Sequence, residues 1–246
     1  LNTTFQDKIT LTQEYINQGT QNIYEATFEF DGILIMIDIL NIKDNSVIIN
    51  EVKSSTQVKD IYLHDASIQY YVLNGLGYDV KKVNIIHINN EYVRDEELDI
   101  NQLFSVVDVT YEVKELQANI KNNLEIFRKT LAKEDEPNID IGTHCNEPYE
   151  CDAKNYCWSH IPNYSIFDIS RLKSQKKFEL YQNGILEFSQ ITDINSFSIS
   201  QQIQITSELQ NKEIINKEAI KDFLDTLAYP IYHLDFETFQ QAIPEF

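Results

Sequence analysis

A chain of 246 residues, 42% hydrophobic and 24% charged, has a globular composition and enough length to bury a sizeable core. Its formal net charge of −19 argues against a protein that holds nucleic acid by overall attraction, while leaving room for a local basic groove or an acidic metal-holding site. No apolar run approaches the roughly 20 residues of a membrane-spanning helix, so no membrane partner is expected and the sequence reads as cytoplasmic.

The opening LNTTFQDKIT has no basic stretch followed by an apolar one, so no signal peptide is expected there. It also lacks a Met, and the ending QQAIPEF closes no element, so the chain reads as a piece of a longer protein. In chain order, residues 5–18 predict a short helix ended near Gly19. Strand patterns follow at 22–30, 33–42 and 46–54. DIYLHDASIQYYVLNGLG predicts a helix stopped by Gly75 and Gly77. KKVNIIHIN and LFSVVDVT predict two further strands, and residues 111–134 one long amphipathic helix. An irregular segment at 137–162 is followed by helices at about 168–183 and 217–228 and an apolar strand, YPIYHLDF. The order predicts an α/β (α+β) fold: a mixed sheet with flanking helices, a cysteine-containing irregular segment and a helical C-terminal extension.

Acid stands inside the apolar strands. Asp31-Gly32 between strand runs is a strong two-residue hairpin signal, and Asp44-Asn45 is a second candidate. Tight turns at both places put Phe30 opposite Ile33, and Lys43 opposite Ser46. Counting back then sets Glu25, Asp38 and Glu51 side by side on three strands. Period-2 alternation adds Lys53 to the same face and points Val52 away. Like charges directly across a ladder repel, so three carboxylates with one lysine call for a compensating cation. A divalent metal answers this, because hard cations take carboxylate oxygens. The other reading is a strand edge on which the carboxylates are solvated and Lys53 neutralises one of them.

Asp38 followed on the next strand by Glu51-Val52-Lys53 resembles the D…(D/E)xK signature of the PD-(D/E)XK nuclease superfamily, in particular its RecB-like branch. The resemblance implies a restriction-endonuclease-like sheet and Mg²⁺- or Mn²⁺-dependent hydrolysis of phosphodiester bonds, in DNA rather than RNA. It places the metal on Asp38 and Glu51, with Glu25 an additional or water-mediated ligand, and gives Lys53 the water and the phosphate charge. The branch also carries a Gln on the following helix, matched here by Gln69. The Tyr often found one turn later is not matched, because Leu73 stands there, and Ile37 replaces the proline that names the superfamily.

Cys145, Cys151 and Cys157 lie in one segment, HCNEPYECDAKNYCW, an odd-numbered group better suited to metal than to disulfides. They resemble the cysteine clusters of iron–sulfur-containing RecB-like nucleases, in which a fourth cysteine precedes the nuclease core. No cysteine precedes Cys145 here. A [4Fe–4S] cluster therefore needs a ligand from outside this sequence, whereas His144 as the fourth ligand suits Zn²⁺. Free thiols in a loop are the remaining reading.

LDFETF puts Asp235 and Glu237 on an expected strand, a D-x-E pattern that resembles the first motif of DEDD-type RNase H-like exonucleases. The expected organisation is a RecB-like nuclease domain over 1–162 with the cysteine segment 144–160, a helical linker over 163–228, and the first strand of a second domain over 229–246. The alternative function is a non-catalytic nucleic-acid or protein interaction module of a larger protein whose chemistry lies in that second, DEDD-like domain.

Overall fold

The structure is a computed structural model that describes residues 4–44, 46–238 and 241–243. It divides into two compact units, one built on the chain up to Glu136 and one spanning Pro137–Glu237. The first holds a five-stranded mixed sheet flanked by helices, an α+β arrangement as the element order predicts.

Helix α1 (Phe5–Asn17) starts at Thr4, whose hydroxyl accepts from the Asp7 amide while the Asp7 carboxylate accepts from the Thr4 amide. The helix packs on β1 (Asn22–Phe30), where the buried Thr12 hydroxyl accepts from the Thr27 amide at 3.0 Å. Strands β1, β2 (Ile33–Lys43) and β3 (Ser46–Lys53) form an antiparallel meander. Asp31 and Gly32 both have positive φ (55° and 73°), as a primed two-residue turn requires. Phe30 pairs with Ile33 and Lys43 with Ser46, so both turns set the expected register.

Helix α2 (Asp60–Gly75) crosses over to β4 (Asp79–Ile88), which runs parallel to β3, and β5 (Phe104–Asp108) closes the edge. The strand order is β1-β2-β3-β4-β5. A one-turn helix α3 (Ile100–Leu103), capped by Asp99, leads into β5. Ile37, Leu40, Ile49, Leu73, Val83 and Ile85 are fully buried between the sheet and its helices, and each contributes about 1.5–3 kcal/mol.

The long helix expected over 111–134 is two helices, α4 (Thr110–Glu115) and α5 (Gln117–Leu131). No Pro or Gly marks the break. The Gln117 side chain donates to the Val113 carbonyl at 2.9 Å and to the Ser67 carbonyl of α2 at 3.1 Å. It thereby competes for the acceptor that an unbroken helix would use. A row of asparagines crosses four strands: Asn41 donates to Asn22 (2.7 Å), Asn50 to Asn41 (2.7 Å), and Asn84 to Asn50 (2.9 Å).

The second unit is helical: α6 (Lys154–Cys157), α7 (Ser174–Gln182), α8 (Ile199–Gln210) and α9 (Lys217–Asp225), joined by 3₁₀ turns. The helix expected from about 168 begins only at Ser174. Asp168 is taken up in the cap of a 3₁₀ turn on Ser165, and Arg171 has a positive φ of 56°. Helix α8 was not expected from its Gln- and Ser-rich sequence, yet Ser198 and Gln201 form a capping box that starts it. The strand expected over 229–236 is absent: these residues are irregular and almost all exposed. Among the described residues no strand lies alongside to pair with them, and an unpaired strand has no ladder to hold it.

Candidate functional site

Along β3 the two-residue period brings Glu51 and Lys53 to one face, and Val52 points away. Glu51 is only 6% exposed. Its Oε1 lies 2.7 Å from Lys53 Nζ, and its Oε2 accepts from Gln69 Nε2 at 2.7 Å. Gln69 comes from the middle of α2 and is 3% exposed; its Oε1 is buried with no hydrogen-bond partner among the described residues. Lys53 Nζ is held a second time, 2.6 Å from Asp65 Oδ2, and sits 5.4 Å from the centre of the Tyr62 ring. Asp65 and Gln69 are four residues apart on α2, so one helix face supplies both. That four-residue spacing from Gln69 is the sequence signal for Asp65, which no motif marks.

Asp38 sits where both neighbouring ladders are interrupted. The β1–β2 pairs run from Phe30–Ile33 to Ala26–Ile37, skip Glu25 and Asp38, and resume at Tyr24–Ile39 in the same register. The β2–β3 pairing stops at Ile39–Asn50, one step short of Asp38 and Glu51. The three acidic positions are thus aligned by count as expected, but the direct cross-strand pairing expected for them is replaced by a local opening. Repulsion between facing carboxylates gives the physical reason. Glu25 adopts φ 53° and is exposed, and among the described residues its carboxylate makes no hydrogen bond or ion pair to the site. The freed Asp38 carboxylate turns to the next strand and accepts from the Val52 amide at 2.7 Å.

The electrostatics follow from burial. Desolvation pushes the Glu51 carboxyl above its usual range, hydrogen bonds from Lys53 and Gln69 pull it back in part, and the nearby Asp38 charge raises it again. Desolvation alone would lower the Lys53 ammonium, but its contacts with Asp65 and Glu51 outweigh this and hold it above the ordinary lysine range. The group therefore sets three carboxylates (Asp38, Glu51, Asp65) against one ammonium.

The cysteine segment lies in the second unit. Cys145 is buried, Cys157 half-buried and Cys151 exposed; all three are free thiols. The Cys151 amide donates to the Cys145 carbonyl at 3.0 Å. Cys145 and Cys157 belong to a small core with Ile141, Trp158, Phe167 and Phe178, in which the Trp158 indole nitrogen is buried without a partner among the described residues. His144 is exposed, its ring lying over Gly142. Among the described residues no three His, Cys, Asp or Glu side chains are gathered as a metal site. Asp235 and Glu237 are exposed in irregular chain, and among the described residues the Asp235 carboxylate accepts only from the adjacent Phe236 amide, at 2.9 Å.

No family model matches the chain, and no curated protein matches it. Among solved structures, a chain described as "Crystal structure of SSO0001" aligns at 12% identity and a TM-score of 0.24. The alignment covers 54% of this chain and 61% of that one, so the match spans about three fifths of the solved chain. Likeness at that level carries no argument about fold or activity. No described helix is long and apolar enough to cross a membrane.

Proposed function

We propose that this chain is a divalent-metal-dependent nuclease that hydrolyses phosphodiester bonds, in DNA rather than RNA, at the group formed by Asp38, Glu51, Lys53 and Gln69. The observation that carries the reading is the buried Glu51 carboxylate, joined to Lys53 at 2.7 Å on one strand, with Asp38 on the strand beside it. Asp38 and Glu51, on adjacent strands, offer carboxylate oxygens, hard donors of the kind Mg²⁺ or Mn²⁺ takes, and the buried Gln69 Oε1, without a partner among the described residues, is one more hard oxygen nearby. Asp38 and Glu51 would hold the ion. Bound there, such an ion polarises a phosphoryl oxygen and acidifies a water.

The chain's own residues supply the rest. Gln69 fixes the Glu51 carboxylate by its amide hydrogen bond. Lys53 stays protonated between Glu51 and Asp65 and offers its positive charge to the phosphate oxygens as negative charge builds on them. Asp65 positions that ammonium without needing to touch substrate. The three thiols are a proposal of the same kind: soft donors in a short segment suit Zn²⁺ with His144, or an iron–sulfur cluster with a ligand from elsewhere. Metal and acid-labile sulfide analysis of protein purified without oxygen decides between these and metal-free thiols.

One observation favours the non-catalytic alternative: both Glu51 oxygens already have partners within the protein. The deciding experiment is cleavage of labelled single- and double-stranded DNA, with RNA in parallel, in Mg²⁺ or Mn²⁺. Asp38→Ala and Lys53→Ala should each slow cleavage roughly 100-fold or more. Equal activity in wild type and both variants rejects the assignment.

A further inference from the structure

We propose that a cleft between the C-terminal half of α2 and the α4–α5 pair binds single-stranded nucleic acid, with phosphates on Lys114 and Lys121 and a base against the tyrosine rings. The cleft has a volume of about 420 Å³ and is lined by Phe30, Tyr70, Tyr71, Lys114, Gln117 and Lys121, among others, with no carboxylate among them. That volume lies within the range of small-molecule and nucleotide sites.

The charge is the first argument. In a chain of net charge −19, Lys53, Lys81, Lys82 and Lys129 of this unit are in ion pairs, and Lys8, Lys43, Lys59 and Lys133, which form none among the described residues, do not line the cleft. Lys114 and Lys121 form none among the described residues; Lys114 only favours the ionised form of the Asp79 carboxyl from a distance. Two uncompensated ammonium groups thus face one cleft, where low-dielectric walls focus their field. Lys114 stands on α4 and Lys121 on α5, on either side of the break at Leu116. Arg128 is bound to Asp31 at 2.8 Å and does not line the cleft.

Shape is the second argument. Tyr71 is anchored, donating to Asp31 at 2.7 Å and meeting the Phe30 ring edge-to-face at 5.9 Å, while Tyr70 is half-buried on the cleft. The Phe30 ring lies so close over Gly75 that a Cβ there would fall 2.2 Å from a ring carbon. A residue with no side chain at 75 lets the aromatic wall form. Cations beside half-buried aromatic rings suit a strand whose bases are unstacked, because duplex bases hide their faces from side chains.

The inference deepens the nuclease reading by naming its substrate class. Binding here does not require that reading; cleavage of the bound strand does.

The test is anisotropy of a fluorescein-labelled oligothymidine in EDTA, so that no metal-dependent cleavage intervenes. The wild type should bind. Lys114→Gln/Lys121→Gln should bind roughly tenfold more weakly or worse, with a salt slope lower by about 2. Tyr70→Ser should lose roughly tenfold with an unchanged salt slope, and it serves as the probe should the double variant fail to fold. Lys81→Gln/Lys82→Gln, which removes the same charge from ion-paired positions, should bind as wild type. A wild type that does not bind, a cleft variant that binds as wild type, or an equal loss in the Lys81/Lys82 control overturns the proposal. Binding that depends on Lys114 and Lys121 without any cleavage refutes the nuclease reading alone, and cleavage with unaltered binding in the cleft variants refutes this one alone.

Discussion

Gln69 Nε2 donates to Glu51 Oε2 at 2.7 Å, with both residues almost fully buried. This contact ties α2 to the centre of the sheet and leaves the Glu51 carboxylate dependent on two donors. Gln69→Leu keeps the volume but removes one of them, so the fold should lose about 1–3 kcal/mol in urea unfolding. Adding Glu51→Leu to that variant should recover much of the loss, because no buried charge is then left short of donors. Equal stability of Gln69→Leu and wild type would remove Gln69 from its orienting role.

Asp65 touches Lys53, and its own side chain is nearly half exposed. An exposed ion pair of this kind is worth at most about 1 kcal/mol, so Asp65→Asn should barely move the melting temperature. Under the nuclease reading it should still lower cleavage several-fold, because Lys53 loses one of its two anchors. A variant with full activity across the pH profile would make Asp65 a surface acid and nothing more.

The asparagine row gives a prediction that needs no assumption about function. Asn50 is buried and bonded to Asn41, to Asn84 and to the Ile39 carbonyl. Asn50→Leu strands polar groups on two neighbouring strands and should cost about 1–3 kcal/mol. Asn22→Ala, at the exposed end of the row, should stay within about 0.5 kcal/mol. Chemical unfolding of the two variants beside the wild type measures the difference.

In the second unit the Tyr181 hydroxyl donates to Asp140 at 2.6 Å and lies 3.1 Å from His160 Nε2. The Asp140 hydrogen bond is the main cause that pushes the Tyr181 phenol up to about 12. A raised phenol pKa stabilises the fold below the unfolded value of about 10 and loses that contribution as pH climbs to the folded value. The ultraviolet difference titration between wild type and Tyr181→Phe should therefore show one phenolate forming near pH 12. A difference curve centred near pH 10 would contradict the contact.

The fold and the site were legible to different depths. Asp31-Gly32 and the turn at Asp44 specified two strand registers, because a tight turn leaves no freedom in the pairing. Glu51 and Lys53 followed from period and position, Gln69 from the family resemblance, and the structure brings the three into contact. The opening of the ladders at Asp38 was not legible, since alternation assumes that paired strands stay paired even where carboxylates face each other. The break at Leu116 depends on Gln117 reaching α2, a tertiary contact with no local sequence mark. The missing strand at 229–236 has the same origin: a strand pattern states a preference, and the ladder needs a partner.

The account rests on Asp38 and Glu51 sharing a divalent cation. Calorimetric titration of Mn²⁺ at neutral pH measures this most directly, with Asp38→Asn and Glu51→Gln beside the wild type. The account predicts a heat of binding with one ion or two per wild-type chain, at least tenfold weaker in each variant, and kept in Lys53→Ala. Mn²⁺ heats that are identical in wild type, Asp38→Asn and Glu51→Gln would contradict it.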